Sequence, residues 1–314
     1  MKAILQYRAT PGFRSQISRL ESDWLRIVVV EEADKAIFAH EMRDADVLLH
    51  VLEPVKAATI DAAPNLKLIQ KLGIGVDTID LEAARRRGVA VCNMPGTNTR
   101  AVAELTLLLI LASLRRLSEL DQQTRKGKGW CLAPESLDQL SELGGRDVGL
   151  VGFGAVGKCL TPMLQGVGAR VLYTDISPAR DAPAAFMSFE TLLSTADIVS
   201  LHLPLTHETA GIMNAAAFAS MKPGSILINT ARGGLVDEAA LVDTLESGHL
   251  RCAGLDVFGA EPVDAASRLL KLRNVIVTPH LAWFTGETLA RSLGVFAENC
   301  RRLRDGEGLI NRVV

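Results

Sequence analysis

Three glycines at the spacing G-x-G-x-x-G, in Gly152-Phe-Gly154-Ala-Val-Gly157, stand in the middle of this 314-residue chain between an apolar run and a helix-forming run. The run before them, Asp147-Val-Gly-Leu-Val151, reads as a buried strand. The run after them, Lys158-Cys-Leu-Thr-Pro-Met-Leu-Gln165, opens a helix, and Arg170-Val-Leu-Tyr-Thr174 is a second strand ending at Asp175. Each glycine has a physical task. Gly152 allows the tight turn out of the strand, Gly154 lets backbone approach a pyrophosphate, and Gly157 lets the helix pack on the strand. The phosphates would rest on free N–H groups at the helix start. Asp175, roughly 20 residues on, would accept hydrogen bonds from a ribose. Its charge would repel a 2′-phosphate, and Arg180 is the nearest cation, so the pattern favours NAD over NADP.

Elsewhere apolar runs alternate with helical patterns, the signature of βαβ units and parallel sheets. Strands are expected near 2–5, 26–30, 47–51, 67–71 and 89–92, which make a first doubly wound, flavodoxin-like unit. A turn-rich break follows at Asn93-Met-Pro-Gly-Thr-Asn98. Thr99 can cap a long helix from Arg100 to Lys126. That helix is apolar nearly all round between Val102 and Leu114, so it is buried on several sides, in a core or between a core and a subunit interface. Six strands, near 147–151, 170–174, 197–201, 225–229, 252–256 and 275–277, complete a dinucleotide-binding fold. The last helix, Gly286 to Asp305, has no strand to lead into and would return to the first unit. The expected architecture is α/β: a Rossmann-type cofactor domain (98–284) inserted into a flavodoxin-like substrate domain (1–97), with 285–314 returning to the latter.

Composition narrows the classes of function. The chain is 48% hydrophobic and 22% charged, with a net charge of −2. No basic excess points to nucleic acid. Five cysteines at 92, 131, 159, 252 and 300, widely spaced and without C-x-x-C, argue against a disulfide framework and a zinc site, and fit reduced thiols in a cytoplasm. The N-terminal apolar stretch is too short for a signal peptide. The most apolar helix is shorter than the roughly 20 residues that span a bilayer. No metal and no membrane partner is expected.

Ligands bind outside the carboxyl ends of parallel strands in such folds. Arg232, in Asn229-Thr-Ala-Arg232-Gly-Gly, follows the strand at 225–229. Asp256 ends the strand at 252–256, with Glu261-Pro262 shortly after, and His280 follows Val275-Ile-Val-Thr-Pro279. Hydride transfer to a carbonyl needs these types. The oxygen becomes an alkoxide and must gain a proton, which a histidine can supply near neutrality. A carboxylate beside the ring fixes its tautomer. An arginine is a planar, permanently charged fork for a carboxylate. Together they specify interconversion of a 2-keto and a 2-hydroxy acid.

Several stretches now resemble the NAD-dependent D-2-hydroxyacid dehydrogenase family. They are Lys71-Leu-Gly-Ile-Gly75-Val-Asp77, Asn98-Thr-Arg-Ala-Val102-Ala-Glu104, Gly127-Lys-Gly-Trp130, the glycine loop, Leu201-His202-Leu-Pro204, Asn229 to Glu238, Gly254-Leu-Asp256, Glu261-Pro262 and Thr278-Pro-His280. The resemblance implies that His280 is the acid/base, Glu261 its partner and Arg232 the clamp on substrate carboxylate and carbonyl. It implies a carboxylate held by the N–H groups of Ile74 and Gly75. It places NAD against Ala155, Val156, Asp175, His202 to Pro204, Thr209, Thr230 and Ala231, with Asp256 at the nicotinamide carboxamide and Val102 on the phosphate side. It also implies a homodimer through the helix that begins near Asn98.

Departures narrow the substrate. Glu261 stands where formate dehydrogenases place a glutamine, and Ile74 where phosphite dehydrogenases carry a lysine. His50-Val-Leu-Glu-Pro54 stands where phosphoglycerate dehydrogenases often show Arg-Ser, which disfavours a phosphorylated substrate. Trp283 and Phe284 beside His280, with Val51 and Leu52, suggest an apolar lining and rank an apolar 2-keto acid slightly above glyoxylate or hydroxypyruvate. The expected activity is therefore that of a 2-keto acid reductase. A dinucleotide-sensing, corepressor-like binding protein on the same fold is the second reading.

Overall fold

The computed structural model describes residues 1–131 and 133–314, with the side chains of all of them except 135 and 136. The chain divides into two compact units, Met1–Asn98 with Trp283–Val314, and Thr99–Ala282. The cuts fall one residue after the first expected boundary and two before the second. Trp283 and Phe284 go with the first unit because their rings pack on Tyr7, at centroid distances of 6.1 and 6.3 Å.

The first unit is built on β1 (Lys2–Gln6), β2 (Arg26–Val30), β3 (Val47–His50), β4 (Leu68–Lys71) and β5 (Ala90–Cys92), in the order β2-β1-β3-β4-β5 and parallel throughout. Such a sheet is covered on both faces, so its strands read as continuous apolar runs rather than alternating ones. Three of its helices start at a side-chain cap that the sequence offers. Thr10 accepts from the Phe13 N–H, Asp80 from Ala83 and Thr285 from Thr288. The last of these helices, Gly286–Asp305, buries Leu289, Leu293, Phe296 and Cys300, one stripe at helical spacing. That stripe lies in the same core as Leu5, Leu49 and Leu68, so the chain's end returns to its beginning.

Among its described residues the second unit has seven parallel strands, one more than expected: β6 (Asp147–Val151), β7 (Arg170–Thr174), β8 (Ala185–Phe186), β9 (Ile198–Leu201), β10 (Ser225–Asn229), β11 (Leu250–Leu255) and β12 (Val275–Val277). The order is β12-β11-β10-β9-β6-β7-β8. The extra strand, β8, is two exposed residues on the sheet's edge, too short to carry a periodic signal. The long apolar helix is also shorter than expected. It spans Thr99–Leu114, and Arg116, with φ 50°, breaks it from a second helix, Leu117–Arg125. The first helix packs closely on β11, where a Cβ on Gly254 would stand 3.1 Å from that of Leu109. The strand order reverses direction between β6 and β9, the point at which open α/β sheets form a ligand crevice.

Among the described residues no helix is long and apolar enough to cross a membrane, and no group of His, Cys, Asp and Glu could hold a metal ion.

Candidate active site

The glycine loop connects β6 to the Ala155–Gly166 helix and is shaped by close approaches that side chains would prevent. Gly152 has φ +98°, and a Cβ there would lie 2.8 Å from the His202 carbonyl carbon. A Cβ on Gly157 would lie 2.9 Å from the Gly152 oxygen. At Gly154 a Cβ would meet nothing within 4 Å, so this glycine opens space on the loop's outer side. No side chain caps the helix that follows, which leaves its first N–H groups, at Ala155 and Val156, available to an anion. Asp175 directly follows β7, and its carboxylate holds the loop. Oδ2 accepts from the Phe153 N–H and Oδ1 from that of Ile176, both at 2.7 Å. The lone pairs left on both oxygens suit ribose hydroxyls. Arg180 is engaged with Asp181.

The loop after β9 lies against Gly152 and contains His202, Pro204 and Thr209. His202 Nε2 pairs with Ser200 Oγ at 3.0 Å, and Thr209 Oγ1 donates to the Pro204 carbonyl at 2.7 Å. Thr230, just beyond β10, bonds Thr106 on the Thr99–Leu114 helix at 2.8 Å. Thr106 itself donates to the Val102 carbonyl. Its hydrogen is therefore spent, and Thr230 is the donor of the pair. Val102 is thus tied to the turn after β10 through its backbone, with its side chain buried.

That turn carries Arg232. Asn229, buried at the end of β10, clamps it from both sides, accepting from the Ala231 N–H at 3.0 Å and donating to the Arg232 carbonyl at 2.8 Å. The turn after β11 runs directly alongside. A Cβ on Gly233 would fall 1.9 Å from the carbonyl of Phe258, so the two turns touch backbone to backbone. Glu238 steadies the second turn by accepting from the Gly259 N–H at 2.6 Å. Within it Glu261 uses both oxygens. Oε1 accepts from the Phe258 N–H at 2.9 Å, and Oε2 meets His280 Nδ1 at 2.6 Å. Burial raises the Glu261 carboxyl, but hydrogen bonds from His280 and Phe258 and the charges of His280 and Arg232 outweigh it, and the group is held below its ordinary value. The carboxylate therefore fixes the His280 proton on Nδ1 and assigns proton exchange to Nε2.

Asp256, fully buried at the end of β11, positions the histidine. Its Oδ1 accepts from Thr278 Oγ1 at 2.5 Å and from the Leu281 N–H at 2.9 Å, and Oδ2 from the Ala282 N–H at 2.9 Å. Burial pushes its carboxyl up against the effect of these bonds. Arg232, Asp256, Glu261 and His280 are thus brought together at the carboxyl ends of neighbouring strands. Ile74 and Gly75 lie on the first unit, in the loop after β4. Trp283, named as a pocket residue, is only 7% exposed and sits in an aromatic core with Tyr7 and Phe284. The run His280-Leu-Ala-Trp283 re-enters the first unit at that residue. Sequence reading missed the supporting roles of Thr106, Asn229, Gly233 and Glu238. Gly233 alone carries a local signal, as the first of two glycines straight after a charged residue.

Residues 107–282 match the family model described as D-isomer specific 2-hydroxyacid dehydrogenase, NAD binding domain. The chain is 40% identical over 290 residues to D-3-phosphoglycerate dehydrogenase of Mycobacterium leprae, an alignment covering 91% of this chain and 54% of that one. The chain therefore spans about half the length of that relative. It is 35% identical over 309 residues to glyoxylate reductase of Korarchaeum cryptofilum, covering 95% and 93% of the two chains. The crystal structure of the TT0316 protein from Thermus thermophilus superposes over 100% of both chains with a TM-score of 0.90 and 37% identity.

Proposed function

We propose, for a chain that belongs to the D-isomer specific 2-hydroxyacid dehydrogenase family, that it is an NAD-dependent oxidoreductase that reduces a 2-keto acid to the D-2-hydroxy acid. The observation that carries this reading is the 2.6 Å pairing of His280 with Glu261, set beside the Arg232 turn on the sheet that also bears the glycine loop. The loop fits a dinucleotide on its own geometry, since Gly154 is open and the helix behind it is uncapped. NADH, when bound, supplies the hydride.

The chain's residues supply the rest. Arg232 would grip the substrate carboxylate and polarise the C2 carbonyl. As the C2 carbon gains the hydride, its oxygen would take the proton from His280 Nε2, while Glu261 stabilises the imidazolium before transfer. The N–H groups of Ile74 and Gly75 would hold the carboxylate as well. The first unit is accordingly read as the substrate domain and the second as the cofactor domain, with Asp175 selecting NAD over NADP. The relatives' names set the substrates to try first: glyoxylate, and 3-phosphoglycerate in the oxidative direction.

A homodimer is the reading favoured for the Thr99–Leu114 helix and its successor, which leave Leu108, Leu111 and Leu117 exposed in an otherwise apolar stretch. Light scattering on the purified protein tests it, and a monomer would remove it. Five unpaired cysteines support a cytoplasmic location.

The test of function is NADH consumption with glyoxylate, hydroxypyruvate, pyruvate, phenylpyruvate and branched-chain keto acids, with NADPH in parallel. The expected result is turnover on at least one, with NADH preferred. Tight NADH binding without turnover on any of them, or on 3-phosphoglycerate with NAD, would refute the enzymatic reading.

A further inference from the structure

We propose that Lys71 is a positioning residue for an anionic substrate group: its buried ammonium sets a positive charge behind the N–H groups of Ile74 and Gly75 and makes that loop selective for a carboxylate. This rests on the reading that the loop binds the substrate carboxylate.

Lys71 closes β4, in register with His50 of β3, and both residues are buried. Its stem runs along the loop that follows. Gly73, with φ +138°, would place a Cβ 3.8 Å from Lys71 Cε. Its Nζ donates to the Val51 carbonyl. The loop is turned so that its carbonyls face the end of β5. The Gly73 oxygen accepts from the Met94 N–H at 2.8 Å, and the Ile74 oxygen from Asn93 Nδ2 at 2.9 Å. Among the described residues, the N–H groups of Ile74 and Gly75 donate to no other group. Successive N–H groups of this kind, with their carbonyls tied elsewhere, form an anion-binding concavity.

The charge behind that concavity comes from Lys71 alone of the buried pair. His50 Nε2 bonds the Glu53 carbonyl at 2.7 Å, so that nitrogen carries the hydrogen and Nδ1 is bare, with no partner. Burial and the neighbouring Lys71 charge lower the His50 imidazole to about 3, so it is neutral at ordinary pH. Asp77, exposed on the same loop, is the nearby acid, and its charge acts on His50 in the sense opposite to that of Lys71. Burying an ammonium is costly, and an unbranched apolar side chain of the same length would avoid the cost. A fixed positive charge behind two donors aimed at an anion gives the lysine a use. A field of this kind acts on the bound carboxylate without touching it.

The experiment compares two ligands of the NADH-bound protein: oxamate, which is anionic, and pyruvamide, which has the same size and no charge. Lys71→Gln keeps a donor for the Val51 carbonyl, Lys71→Met keeps the volume, and Lys71→Arg keeps the charge. The expected result is that Gln and Met weaken oxamate roughly tenfold, the effect of a unit charge about 10 Å away in a partly buried site. Pyruvamide and NADH affinity should change less than about twofold in both variants on the same grounds. KM for the keto acid should rise with little change in kcat, and Arg should restore oxamate binding. Equal weakening of both ligands, or no weakening of either, would overturn the proposal. If neither Gln nor Met folds, the wild type decides. A buried cation predicts an oxamate preference that persists from about 0.05 M to about 1 M salt, whereas a preference erased by salt belongs to exposed charges and overturns it. A wild type that binds NADH but neither ligand would overturn the carboxylate reading itself, and this proposal with it.

Discussion

Replacing Gly233 by alanine tests whether the two turns that carry Arg232 and Glu261 must touch. The added Cβ would stand 1.9 Å from both the carbon and the oxygen of the Phe258 carbonyl, and 2.5 Å from the Gly259 nitrogen. Ordinary contact begins near 3.4 Å, so the turns must part by about 1.5 Å. Nothing at the contact is a flexible side-chain end that could yield instead. One flank is anchored by Asn229 through the Ala231 N–H and the Arg232 carbonyl, the other by Glu238 and Glu261 through the N–H groups of Gly259 and Phe258. Overpacking of this kind costs about 1–3 kcal/mol of stability, and a 1 Å misplacement of catalytic groups costs about 10²-fold in rate. Gly233→Ala should therefore fold with a Tm several degrees lower and lose at least about 100-fold in kcat. NADH affinity should fall much less, because the glycine loop belongs to a different turn. Steady-state kinetics, NADH fluorescence titration and a thermal melt measure the three quantities. Wild-type kcat in a folded variant would refute the view that backbone contact between these turns sets the catalytic geometry.

Four further outcomes follow from the same geometry. Arg232→Ala should cut kcat/KM by at least about 10³-fold while NADH binding persists, as expected when a fixed charge on the reacting centre is lost; an equal loss of NADH affinity would place the side chain on the cofactor instead. Asp175→Ala removes an acceptor from the Phe153 and Ile176 N–H groups as well as the ribose partner, so NADH affinity should drop and the NADH/NADPH preference narrow, and an unchanged ratio would remove Asp175 from cofactor selection. Asp256→Asn cannot accept on both former oxygens, so one of the Thr278, Leu281 or Ala282 donors loses its partner; a loss of about 1–3 kcal/mol in urea unfolding is expected, with a fall in kcat. His50, lowered to about 3 in the fold, stays neutral while the unfolded chain takes up a proton below about 6.5, so stability should fall by about 2 kcal/mol between pH 7 and pH 5, and His50→Gln should flatten that slope in urea titrations.

The fold was legible wherever a run of residues answers to one environment. β3 reads as a strand because Val47, Leu48 and Leu49 are buried together in a doubly covered sheet, and the last helix because its buried residues recur at helical spacing. The Thr99–Leu114 helix was over-extended because Arg116 interrupts it with a backbone angle that no neighbouring proline or glycine announces. β8 was missed because two exposed residues carry no period. At the site, the residues that would do chemistry were legible because chemistry restricts residue type. The residues that hold them were not. Thr106 and Thr230 are 124 positions apart, and their bond exists only once the helix lies on the sheet. The ring contacts of Trp283 with Tyr7, far away in sequence, likewise exist only in the fold.

Asp256 shows how one residue can satisfy two readings. The resemblance assigns it to the nicotinamide carboxamide, whereas its carboxylate already accepts three hydrogen bonds from the segment 278–282. That segment needs restraint. His280 has φ 54°, a left-handed conformation that costs a residue with a side chain about 1–3 kcal/mol. The backbone N–H of His280 donates to the Asp256 carbonyl at 2.7 Å, so main chain and carboxylate of one residue hold the strained histidine from both directions. In this conformation the ring meets Glu261 through Nδ1, at 2.6 Å. A carboxylate offers about four acceptor positions, and three are filled. The fourth suffices for a single N–H from a ligand. The same aspartate can therefore brace the histidine and, through its remaining lone pair, register the carboxamide, which would tie the position of the hydride donor to that of the acid.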